Sequence, residues 1–355
     1  MKKRVFIIGS GFSSLSAACY LSKKNYDVSV FEKNKTLGGR ASQFKAKGFT
    51  FDMGPSWYWM PDVFERFFND FGKTRSDFYT LKKLDPGYRV IFNKENQIQI
   101  GDDLEKISLE FEKIEKGSAK KLKNFIKKAK NNYDLAVTDM LYKMPGKSVL
   151  ELINIDTIFK VNLFFKNIKN DVEKTFKDER LRSILQFPVL FLGAKPSNTP
   201  AFYNFMNYAD FGLGTWQPKN GFYDVVKAMV NIGKNNGVKF HINSDVQKIK
   251  VVDSEIDGIL INGDYKKCDI LISGADYQHT ESLLEKKYRQ YSTKYWENRT
   301  WSPSSLLFYI GLNTKLKNLD HHNLFFDTDF NKHADEIYTN PKWPTDPLFY
   351  LNITS

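Results

Sequence analysis

The sequence predicts an α/β fold, and three features of the first sixty residues carry that prediction. An apolar run enters a glycine turn, a helix follows at once, and a second apolar run ends on an acid. Arg4 to Ile8 is a short apolar run of the kind a central parallel strand needs, since both its faces are buried. Gly9-Ser10-Gly11-Phe12-Ser13-Ser14 comes next, and Leu15 to Leu21 reads as a helix. The second strand, Asp27 to Phe31, ends on Glu32. A pyrophosphate approaching this backbone requires Gly9 and Gly11 to carry no side chain. The helix N-terminus, where Ser13 and Ser14 stand, offers it unpaired N–H groups and partial positive charge. Glu32 is spaced to accept hydrogen bonds from the ribose hydroxyls of an adenosine. Ser14 replaces the third glycine of this fingerprint, a position that needs only a small residue for helix–strand packing.

Two other readings compete for the same segment: a tight turn that binds nothing, and a lipoprotein leader suggested by Met1-Lys2-Lys3-Arg4 and Ser16-Ala17-Ala18-Cys19. Against the leader stand the interrupted apolar stretch and the second strand ending in an acid. Beyond Glu32 the chain runs Lys33-Asn34-Lys35-Thr36-Leu37-Gly38-Gly39-Arg40-Ala41. Arg40 can reach back to a diphosphate with a planar, permanently charged fork, or it can sit in a surface salt bridge. Gly48 to Trp57 reads as a strand entering a rigid Gly54-Pro55 turn, with Ser56 behind it. Such a turn lets backbone pass against a flat ring system.

Further along, Tyr88 to Gly101 reads as a hairpin that heads a helix-rich insertion reaching about residue 212. Lys113 to Lys130 reads as an amphipathic helix, with Leu122, Phe125, Ile126, Ala129 and Tyr133 on its apolar face, continuing to Ala136 and Met140. Its lysines, among them Lys120, Lys121, Lys123, Lys127 and Lys128, form either a solvated face or one attracted to anionic lipid. Ile158 to Ile168 is rich in large apolar side chains flanked by lysines, and either packs in the core or dips into a bilayer surface. Gly221 to Asn236 is then a helix, Val238 to Ile242 and Ser244 to Val252 are strands, and Gly258 to Ile261 pairs back on the latter. Asp269 to Ile272 returns to the parallel sheet before Gly274. From about 286 the pattern alternates strand and helix. The expected domains are therefore discontinuous: 1–85 with 213–285, and 86–212 with 286–355.

Composition narrows the function classes. The chain has 355 residues, 41% hydrophobic and 26% charged, which describes a folded protein with room for two domains. No stretch approaches the roughly 18 uninterrupted apolar residues of a membrane span. Two cysteines, Cys19 and Cys268, make no disulfide framework. Five histidines in no ligand spacing argue against a metal, and His321-His322 on a strand would face opposite ways. The net charge of +12 comes with no nucleic-acid recognition module, so no nucleic-acid partner is expected.

Gly38-Gly39-Arg40-Ala41 and Phe51-Asp52-Met53-Gly54-Pro55-Ser56 closely resemble the phytoene desaturase branch of the flavin amine oxidase-like superfamily. Gly193 to Pro200, Trp216 to Phe222, Ser273 to Tyr277 and Leu319 to Asp327 extend the resemblance through most of the chain, although Asn220 stands where a glycine is usual. The resemblance implies a Rossmann-type FAD-binding domain with a discontinuous α+β substrate domain, the two-domain architecture of glutathione reductase-like and amine oxidase-like proteins. It implies FAD as cofactor, held by Gly9, Gly11, Ser13, Ser14, Glu32, Lys33, Gly39, Arg40, Ala41, Gly54, Pro55, Ser56, Gly274 and, at the adenine, the backbone of Val246. The implied reaction removes two hydrogens across a CH₂–CH₂ bond in phytoene or a later C40 carotenoid intermediate, with oxygen or a quinone as final electron acceptor. No residue is marked as a catalytic base. A cytoplasmic protein at the inner face of the membrane is expected. Family members continue past the position of Ser355 into a glycine-rich segment near the flavin ring, so the chain is expected to be C-terminally truncated.

Overall fold

A computed structural model describes residues 2–143 and 161–354. The chain divides into two units: Met1–Tyr58, Asp62–Leu81 and Pro218–Trp301 form one, and Trp59–Pro61, Lys82–Gln217 and Ser302–Ser355 form the other. The main crossings fall at 81/82, 217/218 and 301/302, where the sequence reading places them near 85, 212 and 285.

In the first unit, β1 (Arg4–Ile8) lies between β2 (Asp27–Phe31) and β13 (Ile270–Ser273), with β9 (Lys239–His241) beyond β2. All three pairings are parallel. Alternation decides the two faces. Val5, Ile7, Val28 and Val30 bury together with Ala18 of the helix Phe12–Lys23 and with Val238. Ile8 and Phe31 point the other way, onto Val246, Ile249, Ile259, Ile261 and Leu283. Most of those residues belong to an antiparallel meander of β10 (Val246–Val252), β11 (Glu255–Ile261) and β12 (Asp264–Lys267). Two-residue loops close it. Asp253-Ser254 and Asn262-Gly263 all have positive φ, the backbone twist that a two-residue hairpin loop requires. The first loop lets β11 begin at Glu255, ahead of the expected Gly258. β12 is a strand that sequence reading missed, because Asp-Tyr-Lys-Lys is exposed throughout and shows no apolar alternation.

The helix Tyr223–Asn235 packs on Phe12–Lys23, where Cys19 donates its thiol hydrogen to the carbonyl of Met229 at 3.4 Å. Leu15, Ala41, Val226 and Met229 close that seam. Cys19 and Cys268 are free thiols, and burial pushes them up to about 12 and about 11.

The second unit holds a four-stranded sheet in the order β15 (Phe349–Asn352), β14 (His322–Phe325), β6 (Tyr88–Ile91), β7 (Gln97–Ile100). β14 runs parallel to β6, and both outer strands are antiparallel to their neighbours. The lysine-rich stretch is two helices, correcting the single one expected: Leu104–Ile114 ends, and Gly117 at φ 81 starts Ser118–Tyr133 afresh. Leu122, Phe125, Ile126, Ala129 and Tyr133 are buried. The run continues as a wider π-helical turn, Asp134–Met140, which buries Leu135, Val137 and Met140 and leaves Ala136 half-buried.

Of the segment Ile158 to Ile168, residues 158–160 lie outside the described residues. Val161–Phe165 is helical; Phe164 stacks on Phe202 with ring centroids 4.8 Å apart, Ile168 is fully buried, and Phe165 is 87% exposed. The alternation expected after 286 is only partly regular, because residues 302–320 contain no helix or strand. Among the described residues no helix is long and apolar enough to cross a membrane.

Candidate functional site

Gly9, Glu32 and Gly274 each follow the C-terminal end of a parallel strand of the first unit, the edge at which α/β sheets bind ligands. Gly9, at φ 81, donates its N–H to the carbonyl of Phe31 at 2.8 Å and so turns the chain out of the sheet. Gly11 caps the helix Phe12–Lys23 in extended conformation and supplies no side chain to its first-turn N–H groups. An added Cβ at Gly11 would meet no protein atom within 4 Å, so that space is open to a ligand.

Gly39, at φ 60, crosses back over this turn; a Cβ there would stand 3.2 Å from the Cα of Gly11. Ser14, in place of a third glycine, is buried against Gly274, where a Cβ would come within 1.9 Å of the serine Oγ. The two positions are complementary: the side chain gained at one is accommodated by its absence at the other. Ser13 is exposed at the same helix end.

Glu32 is 3% exposed and its carboxylate is held from two sides. Oε2 accepts from the backbone N–H of Ser10 at 3.0 Å and from its hydroxyl at 2.6 Å. Oε1 accepts from Asn34, through the backbone N–H at 3.0 Å and Nδ2 at 2.7 Å. Its backbone is fixed separately, by the carbonyl of His241 and the N–H of Ser244, each at 2.8 Å. The structure thus adds Ser10 and Asn34, which sequence reading did not single out. A polar residue inside the Gly-x-Gly turn was the only available signal.

Arg40 is exposed, and no carboxylate among the described residues pairs with it. Lys33 is exposed beside Glu32, and Ala41 is buried with Leu15. Gly54 has φ 93, and a Cβ on it would lie 2.2 Å from the carbonyl oxygen of Arg40. Only glycine allows that crossing, which brings the Gly54-Pro55-Ser56 turn against the Arg40 backbone. Asp52 ties the hairpin of β3 (Ser42–Ala46) and β4 (Phe49–Met53) to the start of the helix Tyr223–Asn235 by accepting from Gln43 Nε2 at 2.9 Å and from the N–H of Phe222. Asn220 needs no left-handed backbone and donates to Asp224 at 3.1 Å, which explains how this turn dispenses with a glycine. Val246 opens β10 with its side chain buried among Ile8 and Phe31.

The second unit buries polar groups of its own. Tyr88 donates to Asp210 at 2.7 Å, both groups are buried, and desolvation lifts the Asp210 carboxyl to about 7. Arg89 and Asp320 form an ion pair at 2.6 Å. The rings of His321 and His322 meet edge-on, centroids 4.5 Å apart, where opposite facing was expected. His321 precedes the strand, so strand alternation does not govern it. Burial pushes His321 down to about 4 and holds His322 well below its usual value. No group of three His, Cys, Asp or Glu among the described residues could hold a metal ion.

Residues 12–347 match the family described as flavin containing amine oxidoreductase. A carotenoid 3,4-desaturase of Haloarcula japonica is 38% identical, over 99% of this chain and 72% of its own length. A 4,4'-diapophytoene desaturase (4,4'-diaponeurosporene-forming) of Staphylococcus haemolyticus is 31% identical, over 99% of this chain and 71% of its own. Among solved structures, an oxidoreductase from Methanosarcina mazei aligns with a TM-score of 0.51 and 19% identity, covering 79% of this chain and 61% of that one. Likeness at that identity concerns the fold alone.

Proposed function

The chain belongs to the flavin-containing amine oxidoreductase family, in its phytoene desaturase-like branch, and on that footing we propose that it is an FAD-dependent carotenoid desaturase of carotenoid biosynthesis. The observation that carries this reading is the 38% identity to a carotenoid 3,4-desaturase across 99% of the chain. The residues fit the cofactor. Open space at Gly11, the Gly39 crossing and the exposed Arg40 guanidinium, which has no ion partner among the described residues, suit a pyrophosphate, which is anionic and needs close backbone approach. Glu32, rigidly held at the end of β2, stands where ribose hydroxyls would be read. FAD supplies the acceptor for the hydride that leaves a CH₂–CH₂ bond of the polyene. The protein's own part is to hold that cofactor and exclude water; no side chain of the chain is assigned as base.

The substrate is a C40 carotenoid, and the acceptor that takes the electrons onward is oxygen or a quinone. The identity to a 3,4-desaturase exceeds the 30% to a zeta-carotene-forming phytoene desaturase of Myxococcus xanthus, which favours a later, more unsaturated intermediate over phytoene. We also propose that the protein works at the inner surface of the cell membrane, where such a substrate dissolves. On the helix Ser118–Tyr133, Lys121 and Lys130 pair with Glu115 and Asp134, while Lys120, Lys127 and Lys128 are exposed and have no ion partner among the described residues. Three free cations on one helix suit an anionic leaflet.

The test is direct. The protein, supplied with FAD and either phytoene or a more unsaturated C40 carotenoid in liposomes, should red-shift the polyene absorbance, with the later intermediate turned over faster. A yellow protein that leaves both polyenes unchanged would sink the carotenoid assignment and leave the flavoprotein assignment standing.

A further inference from the structure

Ser10 lies between the two glycines of the phosphate turn and is fully buried. Its hydroxyl does more than fill space. The hydrogen goes to Glu32 Oε2 at 2.6 Å, and an oxygen lone pair receives the N–H of Gly38 at 3.0 Å. The backbone takes part as well: the N–H of Ser10 goes to the same Glu32 oxygen at 3.0 Å, and its carbonyl accepts from Gly38 at 3.1 Å. One residue therefore joins three segments, namely the phosphate turn, the acid ending β2 and the double glycine leading to Arg40. A hydroxyl both donates and accepts, so the chain Gly38 N–H to Ser10 O–H to Glu32 is directional, each bond polarising the next.

Glu32 does not need Ser10 to stay in place as a residue, because His241 and Ser244 hold its backbone. What the Ser10 hydroxyl fixes is the orientation of the carboxylate at Oε2, beside the two bonds that Asn34 makes to Oε1. We propose that Ser10 is a positioning residue for FAD, orienting the Glu32 carboxylate toward the adenosine ribose and holding the Gly38-Gly39 turn over the pyrophosphate path. This inference rests on FAD being the bound dinucleotide, and assigns to the chain a determinant of cofactor affinity outside the glycines and the acid themselves.

The experiment is a double-mutant cycle on FAD affinity, read by flavin fluorescence titration of the stripped protein, with ADP and 2′-deoxy-ADP as further probes. Ser10→Ala should weaken FAD and ADP by about tenfold, the loss expected when a hydrogen bond to a charged group is removed. It should also erase most of the preference for ADP over its 2′-deoxy analogue. In a Glu32→Ala background the same change should cost clearly less, because the group through which Ser10 acts is gone. Ser10→Cys fills the same buried space with a much weaker donor and should bind FAD about as poorly as Ser10→Ala. The cysteine variant therefore carries the test if the alanine variant does not fold. Equal FAD losses from Ser10→Ala with and without Glu32, or wild-type affinity in Ser10→Cys, would overturn the inference. Failure of the unmutated protein to bind FAD at all would instead overturn the cofactor on which it rests.

Discussion

Gly11 and Gly54 are both glycines of the candidate site, yet substitution should fail at them for different reasons. Gly11 has an ordinary φ of −66 and open space where a side chain would go. Gly11→Val should leave the urea midpoint nearly unchanged, within about 1 kcal/mol for a changed helix cap, while flavin retention drops because the valine occupies the pyrophosphate path. Gly54 is the opposite case: left-handed, with a Cβ falling on the Arg40 carbonyl. Gly54→Ala should destabilise the protein by at least ~2 kcal/mol before any cofactor is added, since left-handed strain alone costs ~1–2 kcal/mol. Equal stability losses in the two variants would contradict this division. Asp210 supplies a pH signature. Its carboxyl titrates at 3.8 unfolded and at about 7 when buried, so the folded state holds the proton between those values. The stabilisation is complete below about pH 4 and is lost as the pH rises to about 7, at roughly 1.4 kcal/mol per pH unit. His321 pulls the other way: pushed down to about 4, it contributes stability above its ordinary 6.5 that is lost as the pH falls. Asp210→Asn keeps an acceptor for Tyr88 but cannot ionise. The stability of wild type minus that of the variant should therefore fall steadily between pH 4.5 and 6.5; a flat difference would mean that Asp210 does not titrate there. Gly9, Gly11 and Glu32 were legible in sequence because their spacing is a pattern; Asp210 was not, because burial has no local signature.

At the scale of elements, the lysine-bearing helix Ser118–Tyr133 is where the membrane proposal can be checked. Lys120→Glu, Lys127→Glu and Lys128→Glu together should abolish binding to anionic liposomes, and raising salt from 50 to 500 mM should weaken wild-type binding, because screening shortens the reach of each charge. Binding that ignores both changes would remove this face from consideration. Of the two phenylalanines in Val161–Phe165, only Phe165 presents itself to solvent, so Phe165→Ser tests insertion while Phe164→Ser would remove a ring stacked on Phe202. The apolar positions of this region were readable from their 3.6-residue period, since burial on one side forces that spacing. The break at Gly117 was not readable, because the lysine pattern runs across it without a change of phase. β12 was invisible for a related reason: an exposed edge strand is held by backbone pairing to β11, which no side-chain pattern records.

At the scale of the whole molecule, a segment of the second unit stands out. Leu306, Leu307, Phe308 and Ile310 are mostly exposed, Phe308 by 76%, in a run without helix or strand. Exposed apolar surface of this extent binds hydrophobic probes and promotes association. Phe308→Ser with Ile310→Ser should lower anilinonaphthalene sulfonate fluorescence and reduce concentration-dependent light scattering; an unchanged signal would place the sticky surface elsewhere. The sequence by itself determined the parallel βαβ start, the acid after the second strand, the glycine positions and the family, because these depend on short-range spacing along one stretch of chain. Only the tertiary structure decided that Ser14 fits because Gly274 lies opposite, that Ser10 and Asn34 hold Glu32, and that Asp52 reaches the N–H of Phe222. It also decided where the chain passes from one unit to the other. The physical reason is the same in each case. These contacts join residues far apart in sequence or turned toward each other by a sharp bend, and their energies depend on distances of a few tenths of an ångström that spacing along the chain does not encode.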